Sequence, residues 1–499
     1  MVFMLASFSI NILVFIWHGF NYPNSLPARQ SFLYIFLVLV MCYEAYLHLE
    51  DVSGKVIGIS LAGALGFVFL CEKMLGYEGD FGLDSYLLTG IFLVLYAGLF
   101  WVKRQKHYRG KLILILATAV VLVESGVNMA DTSVATVSRT NYLKNLDSYE
   151  ALVDRTKESD TGFYRFEKWE RTTKNDGNLV GYPSVSVFSS TANSYIGDLY
   201  EKWGMWYSKV FYCYNGATPL TSALVNVKYM FSEEPIADAG GLYKLVDEED
   251  GVYLYEAKMT LPLGYIADED FRMPEKTLNR NKETPLDIQN RMVENMIGGE
   301  NLFIKTPVRE EQDGVLLEID EPGYYYAFSK SKKTKNMSVY VDGEETEHKK
   351  MGNGYILSVG YVEPGSQVLI TCEEDVELEI AAYRMDMEHF ETVIQKMGEH
   401  PLVVESYSST KLAGHILVEN AGELVMTVPY EPGWTVKVDG EEVEPEWYGK
   451  AFMSVWLDKG EHTIEMSYFP QGFLAGCIIS LLSAAGAACI YFLQKKKEK

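Results

Sequence analysis

Near the N-terminus the segment Trp17-His18-Gly19-Phe20-Asn21-Tyr22-Pro23-Asn24-Ser25-Leu26-Pro27-Ala28-Arg29-Gln30-Ser31-Phe32 sets a histidine and an arginine beside two stiffening prolines, between two apolar runs. A guanidinium at Arg29 could grip a lipid phosphate bidentately, with His18 and Asn21 as further contacts. An interfacial arginine reaching for headgroups accounts for Arg29 equally well. Glu124 and Asn128, at i and i+4, share one helix face inside another apolar run, and Glu44 lies in a third. Carboxylates at membrane depth are functional candidates by default, with packing inside a bundle as the equal alternative. Trp434 and Trp447, with Trp456, could stack on a sugar, although their places on strands favour core packing. Asp268-Glu269-Asp270 has the Asp-x-Asp form of metal-using sugar transferases, but an acidic surface turn is the better reading. No HExxH, CxxC, GxSxG, P-loop or GxGxxG stands in a suitable context. Eight scattered histidines give a metal site little support. The sequence therefore identifies no cofactor and leaves a divalent metal open.

The elements that carry these residues must meet two solvents. The 499-residue chain is 48% hydrophobic, with 44 Lys+Arg against 68 Asp+Glu, a net charge of −24. Acidic surface repels phosphate, which excludes a basic nucleic-acid binder. Aromatic content of 13% excludes general disorder. Six cysteines in a chain this long are no disulfide scaffold. The mean hydropathy of −0.03 would suit a soluble enzyme of about three domains, yet the apolar residues gather at the two ends. Met1–Trp17, Phe32–Leu47, Val56–Leu70, Tyr86–Val102, Leu112–Val123 and Phe473–Leu493 approach the ~20 residues of a bilayer-spanning helix. They predict six spans.

Lys103, Arg104, Lys106, Arg109 and Lys111, and Lys495, Lys496, Lys497 and Lys499, mark cytoplasmic ends. The link holding Glu78, Asp80 and Asp84 then falls outside, and His48–Lys55 falls inside by alternation alone. Both termini are expected in the cytoplasm and residues 131–470 outside, making a multi-pass protein of the cell membrane. Met1 enters apolar sequence with no basic n-region, which is not a signal peptide; the chain reads as one that begins inside a membrane domain.

The outer block carries 32 basic and 59 acidic residues, a net −27. Such a surface favours solubility and repels anionic headgroups, with a cationic ligand as the alternative. Cys213 and Cys372 are its only cysteines, and their spacing does not argue for a bond. Asp147-Ser-Tyr-Glu150 has the form of a capping box. Gly162–Trp169 and Ala223–Phe231 read as strands, and Asn193–Trp203, Pro285–Ile297 and Met387–Met397 as helices. Val339-Tyr-Val-Asp342-Gly343-Glu344-Glu345 repeats as Val436-Lys-Val-Asp439-Gly440-Glu441-Glu442, each copy followed by two more strands. Asp-Gly between alternating strands is a strong hairpin signal, and the repeat predicts two tandem β-sandwich or jelly-roll modules. The expected fold is multidomain α+β. It has a five-span bundle at 1–130, an α/β domain at 131–300, modules at 301–385 and 386–470 (the second with a helix), and a last span with a basic tail at 471–499.

The loop WHGFNYPNSLPARQSF, the Glu124/Asn128 helix, the segment LVNVKYM, the phrase Leu261-Pro-Leu-Gly-Tyr265 and the ending PYEPGWTVKVDG…GEHTIEMSYFPQGFLAG together resemble the YfhO family of bacterial polytopic membrane proteins. The ending is the most specific part. The resemblance covers essentially the whole chain but only the C-terminal portion of a typical family member. It implies a GT-C-like glycosyltransferase that moves sugar from a polyprenyl-phosphate carrier to a cell-envelope polymer such as lipoteichoic acid. The implied partners are the lipid bilayer, the carrier sugar, the polymer and an N-terminal companion chain, with no nucleic acid. In that superfamily the acid/base carboxylate typically lies in an earlier outer loop that has no counterpart here. His18, Asn21, Pro23, Pro27, Arg29, Ser31 and Phe32 fit the family's loop pattern, while Ala28 departs from an expected aromatic. The alternative function is a non-catalytic, membrane-anchored module that binds glycan or protein.

Overall fold

The computed structural model describes residues 2–497 except 23–27, 76–81, 106–109, 134–137, 237–240, 276, 313, 332, 335, 351–353, 374, 375 and 377. Pro23, Pro27, Glu78, Asp80, Lys106, Arg109 and Lys499 thus lie outside the described residues. The chain divides into two compact units, Met1–Tyr142 and Leu143–Lys499.

The first unit is helical: α1 (Val2–Ser9), α2 (Asn11–Trp17), α3 (Ser31–Leu47), α4 (Gly54–Leu75), α5 (Leu83–Arg104) and α6 (Gly110–Ser133), with a single 3-10 turn at Leu49–Asp51 and a short helix at Arg139–Tyr142 among the described residues. Among the described residues, four helices are long and apolar enough to cross a membrane: α4, α5, α6 and Phe473–Lys497 of the second unit. Helix α3 is apolar but shorter. The first expected span is not one helix, because Ile10 is extended between α1 and α2 (φ −92°, ψ 112°). It is flanked by Ser9 and Asn11, side chains that compete for backbone groups. Phe36, Ile59, Phe67 and Leu122 stand on the outside of these helices, a surface suited to hydrocarbon rather than water. One end is pinned by α5, where Arg104 Nε donates to the Val52 carbonyl at 2.6 Å. Beside it, Lys103 Nζ lies 3.5 Å from the centre of the Tyr46 ring.

The second unit opens with helix Leu146–Ser159. Asn145 enters it in the left-handed region (φ 58°), so the helix starts before Asp147 and the anticipated capping box does not form there. Strand Arg165–Lys168 runs parallel to Val227–Ser232, which pairs antiparallel with Val252–Ala257 and through it with Tyr243–Glu249. The strand expected over Ala223–Phe231 begins only at Val227, for a physical reason. Helix Pro219–Leu224 occupies the first part, and Asn226 (φ 56°) turns the chain before the strand begins. Asn193 caps helix Ser194–Trp203 by accepting from the amides of Tyr195 and Ile196, as its type favours.

The remainder is β-rich, and the internal repeat has a direct structural counterpart. One five-stranded sheet has the order Val308–Glu311, Gly314–Leu317, Val368–Cys372, Asn336–Val341, Glu344–Lys350. The other has the same order: Val403–Tyr407, Lys411–Val418, Gly460–Tyr468, Trp434–Val438, Glu441–Val443. Both Asp-Gly turns hold positive φ at two successive residues, 51° and 87° at Asp342-Gly343 and 54° and 85° at Asp439-Gly440. That is the turn whose twist matches a hairpin. Four-stranded sheets accompany them: Leu357–Val362, Gly323–Ser329, Ile380–Met385, Phe303–Thr306, and Glu446–Tyr448, Phe452–Leu457, Gly422–Pro429, Gly264–Ile266. The last strand comes from far earlier in the chain. Glycine suits position 264, since an added Cβ would lie 2.9 Å from Leu402 Cδ2 and 3.0 Å from its Cβ, and Leu402 would have to shift.

One large core runs through the unit, from Trp203 and Leu286 to Tyr383, Phe390, Val425 and Phe452. Through it passes a buried polar junction. Arg165 Nη1 donates to the Val225 carbonyl (2.7 Å) and Thr427 Oγ1 (3.2 Å), and Nη2 to the Thr427 carbonyl (2.8 Å). Thr427 Oγ1 donates in turn to the Leu263 carbonyl (3.1 Å), and Asn226 Nδ2 donates to the Leu261 carbonyl (2.5 Å). Burial lowers Arg165 to about 10, which leaves it charged at neutral pH.

Two residues on, Glu167 is buried and accepts from Ser184 Oγ (2.6 Å), the Val185 amide (2.8 Å) and Ser186 Oγ (3.1 Å). Burial outweighs these donors and pushes its carboxyl up to about 7 from 4.5. The folded chain therefore holds this proton more tightly than the unfolded chain. The stabilisation is complete below the unfolded value and lost as pH rises through about 7. The difference is of the order of 3 kcal/mol. Glu167→Gln keeps an acceptor without the titration. Denaturant unfolding followed by tryptophan fluorescence should show the fall in stability between pH 5 and 7.5 flattened in the variant; an unchanged slope would place the titration elsewhere.

Candidate functional site

The first loop is built from its own side chains. His18 ends α2 and uses both ring nitrogens: Nδ1 lies 2.6 Å from the Val14 carbonyl, and Nε2 lies 3.4 Å from the Arg29 amide. Only the tautomer with its proton on Nδ1 satisfies both contacts, because a carbonyl needs a donor and an amide needs an acceptor. His18 is thus a tether that draws the far end of the loop back onto α2. Gln30, one residue past Arg29, is buried, and its Nε2 donates to the Ser7 carbonyl of α1 at 3.1 Å. Phe20 and Tyr22 pack on Phe15, with ring centres 5.9 and 5.0 Å apart. Ala28, the departure from the family pattern, stands at φ 58°, a conformation that costs an L-residue about 1 kcal/mol. Between these pins the Arg29 and Asn21 side chains are exposed. Arg29 precedes the 17-residue helix α3, so its cation adds to the positive end of a helix dipole.

Glu124 belongs to a second arrangement. It is half-buried on α6 and accepts a short hydrogen bond from the hydroxyl of Tyr96 on α5. The ring of Tyr96 stacks against Phe100 at 6.5 Å. Asn128, one turn further along α6, is exposed. Of the residues that complete these two arrangements, Ser7, Gln30 and Tyr96 escape sequence reasoning: Ser7 offers only a backbone carbonyl, Gln30 is a neutral loop residue, and Tyr96 is an ordinary side chain inside an apolar run. A glutamine next to an arginine at a helix start was the one visible signal.

Trp434 and Trp447 are not brought together. Trp434, half-buried beside Tyr468 (5.1 Å), belongs to a five-stranded sheet, and Trp447 to a four-stranded one. Trp447 sits edge-on to Tyr195 (4.7 Å) and Tyr430 (4.6 Å). Trp456, expected in a core, is 68% exposed. Asp268 spends its carboxylate on the Asp270 amide at 2.8 Å, a surface turn rather than a metal pair. Among the described residues no cluster of His, Cys, Asp and Glu could hold a metal ion. Cys213 and Cys372 are not joined in a disulfide, and burial pushes Cys213 up to about 12.

Over residues 1–480 the sequence matches the family described as bacterial membrane protein YfhO. The chain belongs to the YfhO family. A relative from Bacillus subtilis (strain 168), named "Uncharacterized protein YfhO", is 34% identical over 74 residues, which make up 15% of this chain and 8% of the relative. The matched segment therefore spans far less than two thirds of that YfhO protein. Among solved structures, a GH2 beta-galacturonidase from Eisenbergiella tayi bound to galacturonate is 12% identical and covers 33% of this chain and 30% of its own, at a TM-score of 0.11. A cupin 2 conserved barrel domain protein from Leptotrichia buccalis is 12% identical over 33% of this YfhO-family chain and 88% of its own, at 0.10. Scores this low carry no argument.

The Tyr96–Glu124 contact yields a direct expectation for this YfhO-family member. Hydrogen bonds between apolar helices contribute roughly 0.6–2 kcal/mol. Tyr96→Phe should lower stability by that amount when the chain is unfolded by SDS in mixed micelles. No shift would mean the contact is not maintained in detergent.

Proposed function

We propose that this chain is a segment of a YfhO-type, GT-C-like glycosyltransferase that moves sugar from a polyprenyl-phosphate carrier to a cell-envelope polymer such as lipoteichoic acid. Membership of the family supports the reading, and the observation that carries it is the pinned first loop. His18 and Gln30 are consumed in holding the backbone, while the Arg29 guanidinium stays exposed at the start of an apolar helix. A carrier sugar is already activated, so transfer needs a cation for the departing phosphate and a base for the acceptor hydroxyl. Arg29 would supply the first, with Asn21, Glu124 and Asn128 as further candidates to contact the carrier. The base is assigned to an N-terminal companion segment, and a divalent metal stays open for the carrier phosphate.

In this reading α1 and α2 together, α3, α4, α5, α6 and the C-terminal helix make six crossings. Both termini are cytoplasmic, and residues 131–470 lie outside with two sandwich modules divided near 300 and 385. Repulsion from anionic headgroups suits a block with a charge of −27.

Two measurements test the proposal. In proteoliposomes carrying the companion segment and a polyprenyl-phosphate sugar, Arg29→Ala should lower transfer at least tenfold, the order expected for a lost charged hydrogen bond. Unchanged transfer removes Arg29 from the site. Protease added to intact, wall-stripped cells should digest residues 131–470, and complete protection overturns the orientation.

A further inference from the structure

In the second unit a cleft of about 120 Å³ opens between Tyr214–Ala217, strand Gly323–Ser329 and residues 355–361. Trp169, Tyr214, Tyr243 and Tyr361 line it half-buried, and Tyr324, Tyr326 and Tyr355 line it buried. The rings stand at angles rather than in a flat stack. Trp169 and Tyr243 are 6.2 Å apart at 88°, and Tyr324 and Tyr361 are 5.4 Å apart at 75°. Several are fixed from behind. Tyr324 Oη accepts from the Leu242 amide at 3.2 Å, and the Tyr214 hydroxyl lies 2.7 Å from Ser222 Oγ. Arg171 donates to Asn215 Oδ1, which sets Nδ2 as the donor end of that amide. Gly216 (φ 86°) lets the segment lie close to the rings, since an added Cβ would meet Tyr355 Cβ at 2.8 Å.

The chemistry of this lining is selective. Among the described lining residues there is no Asp, Glu, His, Lys, Arg or Cys; the polar groups are phenols, the Trp169 indole N–H, Asn215 and Ser358. A charged ligand would enter without a counter-charge and lose its hydration. With Asn215 Oδ1 taken by Arg171, its Nδ2 is left as a donor for a polar ligand. A pyranose ring suits this lining, with C–H faces to lie against aromatic rings and a hydroxyl to accept from Asn215.

We propose that this cleft binds one pyranose residue of an uncharged glycan. The site goes beyond the transferase reading and stands whether or not the chain transfers sugar, because binding is read without turnover. The full chain in nanodiscs is tested by saturation-transfer NMR with methyl β-glucoside, methyl β-galactoside and methyl N-acetyl-β-glucosaminide, and with methyl β-glucuronide as the charged arm. At least one neutral glycoside should receive saturation on its ring protons. Trp169→Ala should reduce it at least fivefold, and Trp169→Phe should retain at least half. Ala217→Trp, which fills the opening without deleting a packed group, should abolish it. Absence of transfer to all three neutral glycosides, stronger transfer to the glucuronide, or transfer that survives Ala217→Trp would each overturn the proposal.

Discussion

A guanidinium loses its water when Arg165 enters the interior of the second unit, and oxygens from two distant stretches replace that water: the Val225 carbonyl and the carbonyl and hydroxyl of Thr427. Burying such a charge without these acceptors costs several kcal/mol. The cation can therefore be dry only when the turn after helix Pro219–Leu224 and the strand Gly422–Pro429 are both in place. Thr427 then reaches the Leu263 carbonyl, and Asn226 reaches that of Leu261. Segments more than two hundred residues apart in the chain are coupled through a few bonds. The large shared core follows the same path, so the α/β stretch and the β-rich stretches stand as one unit rather than as beads.

The membrane unit solves a related problem with weaker means. His18, Gln30 and Glu124 each find a partner within the chain; for Glu124, inside an apolar helix, hydrocarbon would supply none. Among the described loop residues, the Arg29 and Asn21 side chains stay exposed.

Features that depend on neighbours in the chain were legible in the sequence. The Asp-Gly turns, the doubled strand pattern, helix Met387–Met397 and the apolar helices all follow from local periodicity or turn chemistry. The junction around Arg165 was not, because nothing near Arg165 in the chain shows that Thr427 will meet it. The phrases LVNVKYM and Leu261–Tyr265 carried no sign of each other in the sequence; their Asn226 and Leu261 touch. At the candidate site Arg29 and Glu124 could be picked by type, whereas Gln30 and Tyr96 could not. The tryptophans misled in both directions: Trp434 and Trp447 lie on different sheets, and Trp456 faces solvent.

The strand Gly264–Ile266 completes a sheet whose other members begin at Gly422. During synthesis it must wait for a partner made about 160 residues later, which at ordinary elongation rates is on the order of 8–30 s. For that interval its backbone is an open edge able to pair with any passing strand. Its brevity, with a glycine at one end, limits that hazard. The order of emergence from the ribosome thus bears on why so small a strand closes so large a sheet.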